Sequence, residues 1–230
     1  MYSSPDCESK DSNIKWVRMP KWPEHWKEKQ GVIEIVAGAM FSGKSDFIIA
    51  RAERWRRSGV SMYIVKHPFD TRYEGISKIS SHGGRTIECE ALANPIDIYQ
   101  RVANLDPCIV IIDEVQFYID CQEIFVEMVR QFAAEGRVVL LAGLNMDFKG
   151  EPFGPMAVLM AIADQVNKLT AICSECGADA AFTQRLIGGK PASVDSQLVV
   201  VGAEDAYVAR CRKHHQVPGK KGFADLFGQD

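Results

Sequence analysis

Residues Gly38 to Ser45 read Gly-Ala-Met-Phe-Ser-Gly-Lys-Ser, a G-x-x-x-x-G-K-S pattern placed directly after the apolar run Val32 to Ala37. A glycine-rich turn that leaves a buried strand and opens a helix aims successive backbone N–H groups at one point. There the helix dipole also favours an anion. Ile48, Ala52 and Trp55 supply the apolar face of the helix that follows. The loop Gly38, Ala39, Met40, Phe41, Ser42, Gly43, Lys44 and Ser45 is therefore expected to hold a nucleoside triphosphate. Lys44 reaches the β- and γ-phosphates, and the Ser45 hydroxyl is a ligand for Mg²⁺.

The rest of the chain agrees with a strand–helix alternation from Gly31 onward. Val32–Ala37, Ser61–Lys66, Cys108–Ile112 and Val138–Ala142 are continuous apolar runs rather than alternating ones. That suits a parallel sheet covered on both faces. Asn94 and Pro95 suit the start of a helix burying Ile98, Val102 and Leu105. Asp120 with Glu123 suggests a capping box for a helix burying Ile124, Met128, Val129 and Phe132, closed by Gly136. The fold class expected from this alternation is α/β with a P-loop parallel-sheet core. Residues 1–30 read as an N-terminal arm ahead of it. The arm carries Trp16, Trp22 and Trp26 and reads as packing against the domain or a neighbouring subunit.

Composition bounds the function. With 230 residues, 47% hydrophobic and 25% charged, the chain can bury one substantial core, and a formal charge of −3 gives no global pull toward nucleic acid or anionic membrane. No apolar stretch exceeds strand length, and the N-terminal residues lack a signal peptide's apolar core. Seven cysteines without a disulfide-like arrangement suggest a reducing, cytoplasmic setting.

Cys108–Ile112 ends in Asp113-Glu114, which places an acid pair at the carboxyl edge of the sheet beside the phosphate loop. Asp113 fits a magnesium role through water. Glu114 fits a general base for the hydroxyl or water that attacks the γ-phosphate.

Cys173-x-x-Cys176 and Cys211-x-x-His214 form two ligand pairs separated by the 34 residues from 177 to 210. Two thiolate-bearing turns of this kind make a closed tetrahedral zinc site, and soft ligands select zinc over magnesium or calcium. His215 adjoins His214, and the two-residue spacing favours His214. The expected role is structural.

Taken together, these residues resemble the thymidine kinases of the cytosolic, zinc-containing type. The resemblance rests on Met40-Phe41-Ser42-Gly43-Lys44-Ser45, on Lys66-His67-Pro68-Phe69-Asp70-Thr71-Arg72-Tyr73 with Ser81-His82, and on Asp113-Glu114-Val115-Gln116-Phe117. It continues through Ala142-Gly143-Leu144, Phe148-Lys149-Gly150-Glu151-Pro152-Phe153-Gly154, Lys168-Leu169-Thr170-Ala171 and Val201-Gly202 before Tyr207. It covers about residues 31–217 in continuous order. It implies a P-loop parallel-sheet core with a small zinc-stapled lasso domain: an N-terminal arm at 1–30, a P-loop kinase domain at 31–168, a zinc-binding lasso at 169–217 and a tail at 218–230.

This resemblance implies ATP-dependent phosphorylation of the 5′-hydroxyl of thymidine or deoxyuridine, giving dTMP and ADP, with Mg²⁺ and structural Zn²⁺. Glu114 is then the base, with Lys44 and Arg72 steadying the phosphates. Met40, Asp70, Gln116, Phe117, Phe148, Phe153, Thr183, Val201, Gly202 and Tyr207 stand at nucleoside-binding positions, and a lasso through Leu186–Val201 encloses the base. A homotetramer inhibited by dTTP, with no nucleic-acid or membrane partner, is implied as well. Asp46, Asn145, Val115 and Gly83 depart from the family pattern without removing a catalytic group. Asp46 either caps the helix or weakens nucleotide affinity. The competing reading is a zinc-ribbon P-loop ATPase acting on nucleic acid, in which Glu114 would activate water.

Overall fold

The computed structural model describes residues 31–68, 78–198, 205–222 and 225. The arm at 1–30 lies outside them, as do Asp70, Arg72, Val201 and Gly202.

The chain begins with β1 (Val32–Gly38), α1 (Lys44–Arg57), β2 (Met62–Lys66), β3 (Lys78–Ser80), β4 (Thr86–Glu88), β5 (Glu90–Ala91) and α2 (Pro95–Leu105). It continues through β6 (Ile109–Asp113), a 3₁₀ turn (Val115–Phe117), α3 (Gln122–Ala134), β7 (Val138–Gly143), α4 (Met156–Ile162) and β8 (Gln165–Leu169). Then come β9 (Ala171–Ile172), β10 (Asp179–Ala180), β11 (Phe182–Ile187), β12 (Lys190–Pro191) and β13 (Asp205–Arg210).

Six strands form one sheet in the order β5-β2-β6-β7-β1-β8, every neighbouring pair parallel. The apolar runs follow from burial on both faces. Ile33, Ile35, Val65, Ile112 and Leu141 pack with Ile98 and Val102 of α2, Phe125, Val129 and Phe132 of α3, and Leu159 of α4. On the other face Val36, Ile64, Ile111 and Leu140 meet Ile48, Ile49 and Ala52 of α1. Each such aliphatic side chain contributes about 1.5–3 kcal/mol when fully buried. Glu34 also points to the α1 side, and its buried carboxylate is held by Arg51 and by Asn167 of β8, each at 3.0 Å. Paired in this way, the charge avoids the penalty of a lone buried carboxylate.

Several local expectations need correction. α3 starts at Gln122 with Cys121 as its cap and no side-chain capping bond, so the Asp120–Glu123 box does not form. Its buried face runs through Phe125, Met128, Val129 and Phe132, while Ile124 is 53% exposed. One residue is a 100° turn of the helix, which is enough to carry Ile124 off the core face. Leu105, in the last turn of α2, is likewise exposed. Asn94 does cap α2, accepting from the Ile96 amide at 2.9 Å.

β9 with β10, and β11 with β12 and β13, form small antiparallel sheets. Ala171, Cys173, Ala180, Ala209 and Cys211 make a separate cluster of small side chains there. So small an apolar cluster needs help from another source of stability.

Candidate active site

The carboxyl edge of the sheet gathers the chemistry. In register along that edge stand Gly38 with Leu169, Ala37 with Gly143, and Lys66 with Asp113. One strand, β7, lies between β1 and β6. The phosphate loop and the acid pair therefore start about 10 Å apart, two strand spacings. That gap is wide enough for phosphate oxygens between them.

α1 opens at Lys44 behind Gly43, whose φ of 86° is left-handed backbone that glycine adopts without a steric penalty. A Cβ on Gly38 would sit 2.6 Å from the Leu169 carbonyl oxygen, so that position is closed to larger residues. Lys44 Nζ donates to the carbonyls of Gly38 (3.2 Å) and Ala39 (2.8 Å), folding the ammonium across its own loop. Asp46 lies in the first turn without a capping bond; its charge is placed where the helix dipole favours it. Phe41 is exposed, and its ring lies 5.0 Å from that of His82.

A cleft lined by Met40, Phe41, Gly43, Lys44, Ser45, Asp113 and Glu114 brings most of the expected phosphate-handling residues together. Asp113 is buried, and its Oδ1 accepts the Glu114 amide at 2.9 Å. Glu114 has φ 57° and ψ 37°. A non-glycine residue held there carries about 1–3 kcal/mol of strain, which surrounding structure must impose. Gln116 lies behind it, fully buried, with Nε2 donating to Glu114 Oε2 at 2.5 Å.

Lys66, His82 and Leu144 line the same cleft and had no role from sequence. Lys66 is 3% exposed and ends β2 beside Asp113. A cation terminating an otherwise apolar strand was the available signal. His67, next in sequence, packs edge-on to Tyr118 at 4.8 Å, and burial pushes its imidazole down to about 4. It is neutral near pH 7.

The expected nucleoside-side residues fall into two groups. Phe117 and Phe153 meet edge-to-face at 5.8 Å, and Met40 is joined to Thr183 of β11 by a 3.0 Å bond from its amide. Phe148 sits instead beneath β11, with the Arg185 guanidinium 5.4 Å from its ring, and its carbonyl is 2.9 Å from His215 Nε2. Tyr207 pairs with Arg185 across β11 and β13 and is half-buried.

Cys173, Cys176, Cys211 and His214 converge, all ligand atoms within 4.8 Å of one another. Cys176 Sγ to Cys211 Sγ and Cys173 Sγ to His214 Nδ1 are both 3.7 Å, and Cys211 Sγ to His214 Nδ1 is 3.3 Å. Zinc–sulfur bonds of about 2.3 Å in a tetrahedron put sulfurs about 3.8 Å apart, so the donor set fits zinc in both identity and spacing. His214 is the histidine that joins the three sulfurs, while the His215 ring is 2.9 Å from the Phe148 carbonyl.

Among the described residues no helix is long and apolar enough to cross a membrane. The fold is similar to the flagellar accessory protein FlaH from Methanocaldococcus jannaschii, at 12% identity and a TM-score of 0.47 over 66% of this chain and 76% of that one. It is also similar to a DNA replication initiation factor, at 12% identity and a TM-score of 0.38 over 60% of this chain and 40% of that one. The sequence model of thymidine kinase matches residues 31–215, the phosphate loop and all four cysteine and histidine ligands included. The chain belongs to the thymidine kinase family, whose members use ATP.

Proposed function

We propose that this chain transfers the γ-phosphoryl group of ATP to the 5′-hydroxyl of thymidine or deoxyuridine, giving dTMP or dUMP and ADP. The observation that carries the reading is the placement of Glu114 in one cleft with Lys44, Ser45 and Asp113. Glu114 takes the proton from the 5′-hydroxyl as that oxygen bonds to the γ-phosphorus. The bond from γ-phosphorus to the bridging oxygen breaks, and ADP leaves with the electron pair. Such a transfer depends on positioning and charge neutralisation more than on covalent help from the protein.

Lys44 exchanges its two loop carbonyls for β- and γ-phosphate oxygens, and the backbone amides of Gly38–Ser45 hold the remainder. Lys66, buried beside Asp113, adds a second cation to the cleft. Arg72 acts on the phosphates from outside the described residues. Ser45 and Asp113 hold Mg²⁺, which when bound supplies charge neutralisation along the triphosphate. Met40, Phe117, Phe153, Thr183 and Tyr207 enclose the nucleoside together with Asp70, Val201, Gly202 and Phe148.

Residues 31–168 then form the kinase domain, 169–217 the zinc-stapled lasso, with the arm and tail outside them. Cys173, Cys176, Cys211 and His214 hold zinc in a closed, structural site. The enzyme serves nucleotide salvage in the cytoplasm as a homotetramer, with dTTP as feedback inhibitor. ADP release by purified protein, measured with and without thymidine, tests the reading.

A further inference from the structure

Three consecutive residues of β11, Thr183, Gln184 and Arg185, are polar and buried. Alternation along a strand puts Thr183 and Arg185 on one face and Gln184 on the other. Gln184 holds the chain just past His214: its Nε2 donates to the Gln216 carbonyl at 2.9 Å and its Oε1 accepts the Gln216 amide at 2.8 Å. Thr183 holds the Met40 amide at 3.0 Å. Arg185 reaches two further segments. Its guanidinium carbon lies 5.4 Å from the centre of the Phe148 ring, which the Lys149 ammonium also approaches at 5.5 Å. Its Nη1 donates to the Gln197 carbonyl at 2.5 Å, and its own carbonyl accepts the Ala192 amide at 3.0 Å. The stretch 192–197 is thus tied at both ends to one residue.

We propose that Arg185 is a positioning residue for the lasso: its guanidinium fixes the loop at Gln197 beside the Phe148 segment, so that both stand in place before a nucleoside enters. The inference rests on the reading of 186–201 and Phe148 as the nucleoside enclosure. Burying a cation costs free energy unless its N–H groups find acceptors, and an aliphatic side chain would fill the same space without that cost. What a guanidinium adds is direction, because a planar fork can lie against a ring and donate from its edge. The bond at Ala192 sets where the loop leaves β12, and the bond at Gln197 sets where it returns. A loop placed at both ends gives up less freedom when it closes on a substrate. Arg185 therefore acts on thymidine through the lasso and leaves phosphoryl transfer to the residues of the cleft.

Two substitutions in the zinc-replete full chain test this. Arg185→Lys keeps the charge but lacks the planar fork, and Arg185→Met keeps a long side chain without a donor. Both should raise KM for thymidine about tenfold or more, while kcat and KM for ATP stay within about threefold, the pattern of lost substrate binding. Amide exchange in thymidine-free protein should be faster across 192–198 in both variants and unchanged across β1, β6 and β7. Deoxyuridine, which lacks thymine's 5-methyl group, should show the same fold-rise in KM, because Arg185 does not touch the base.

A parental KM for thymidine in either variant would overturn the proposal, as would parental exchange across 192–198. An equal rise in both KM values, or lost zinc with a lower Tm in both variants, would make Arg185 a general support of the fold and overturn it too. A changed ratio of thymidine to deoxyuridine KM would mean direct contact with the base and would end the positioning role. A parent chain that releases no ADP on adding thymidine is a different failure. It removes the kinase reading, while the exchange measurement still reports whether Arg185 holds the lasso.

Discussion

The Met40 amide of the phosphate loop donates to the Thr183 hydroxyl at 3.0 Å, joining segments 143 residues apart in sequence. Met40 lines the phosphate cleft, while Thr183 belongs to β11, the strand paired with the one that leads into Cys211. The glycine-rich loop is therefore held from the side of the segment that carries the cysteine and histidine cluster.

That bond is testable. Thr183 is 4% exposed, and Thr183→Val takes its hydroxyl away from the part-buried Met40 amide. Losing such a bond costs about 1 kcal/mol where water reaches the donor and up to about 3 kcal/mol where it does not, equivalent to roughly five- to a hundredfold. Steady-state kinetics should show kcat/KM for thymidine falling within that range. Thr183→Ser, which keeps the hydroxyl, should stay within about fivefold of the parent by the same argument. Equal behaviour of the two variants would mean that the hydroxyl is unimportant.

Glu114→Gln keeps shape and removes the proton acceptor. It should lower kcat by about 10²–10⁴-fold with little change in nucleotide affinity, the range for a positioned base. Calorimetric binding of ATP beside a turnover assay checks both halves. More than about a third of wild-type turnover would remove the assignment.

The cysteine and histidine cluster should carry one zinc per chain. Structural zinc contributes about 10–16 kcal/mol in small metal-folded peptides, and the local apolar cluster is too small to replace it. Cys176→Ser should lose the metal and, through the His215–Phe148 contact and the Met40–Thr183 bond, lose thymidine binding before ATP binding. Elemental analysis and two separate titrations measure this. Protein purified without chelator and free of zinc would contradict it.

His67 gives a pH signature. Burial lowers its pKa from 6.5 to about 4, so the unfolded chain binds this proton more readily. Its stabilising contribution is complete above about pH 6.5 and is lost as pH falls toward 4. The slope within that window is at most about 1.4 kcal/mol per pH unit and smaller if water reaches the ring. Denaturant melts of His67→Gln should show a shallower acid loss than the parent. An unchanged slope would mean that the imidazole titrates normally.

How much of this was legible in the sequence depended on whether a residue's burial left a mark on its neighbours. β1, β2, β6 and β7 are covered on both faces, so their apolar runs stood out, and Asp113-Glu114 was legible as an acid pair ending one of them. β8 is an edge strand of mostly exposed residues, and β5 has only two; neither produces a periodic pattern. On α3, Met128, Val129 and Phe132 are buried as expected and only Ile124 was misplaced, because Ile124 and Phe125 are both apolar and only packing distinguishes them. The four residues that converge in the metal cluster were readable from spacing, which also favoured His214 over His215. Lys66 left one mark, a cation ending an apolar strand, but its place beside Asp113 comes from strand register, which is not a sequence pattern.

The central claim is thymidine-dependent phosphoryl transfer, and a coupled ADP-release assay over a nucleoside panel tests it most directly. A pocket built for a pyrimidine with thymine's donors and acceptors leaves polar groups unpaired with cytosine and excludes a purine by size. Mismatches of about 1–3 kcal/mol each predict at least tenfold higher kcat/KM for thymidine than for deoxycytidine or deoxyadenosine. ADP release should rise on adding thymidine and be unaffected by single-stranded DNA. ATP turnover indifferent to thymidine and stimulated by single-stranded DNA would contradict the account and favour a nucleic-acid-dependent ATPase.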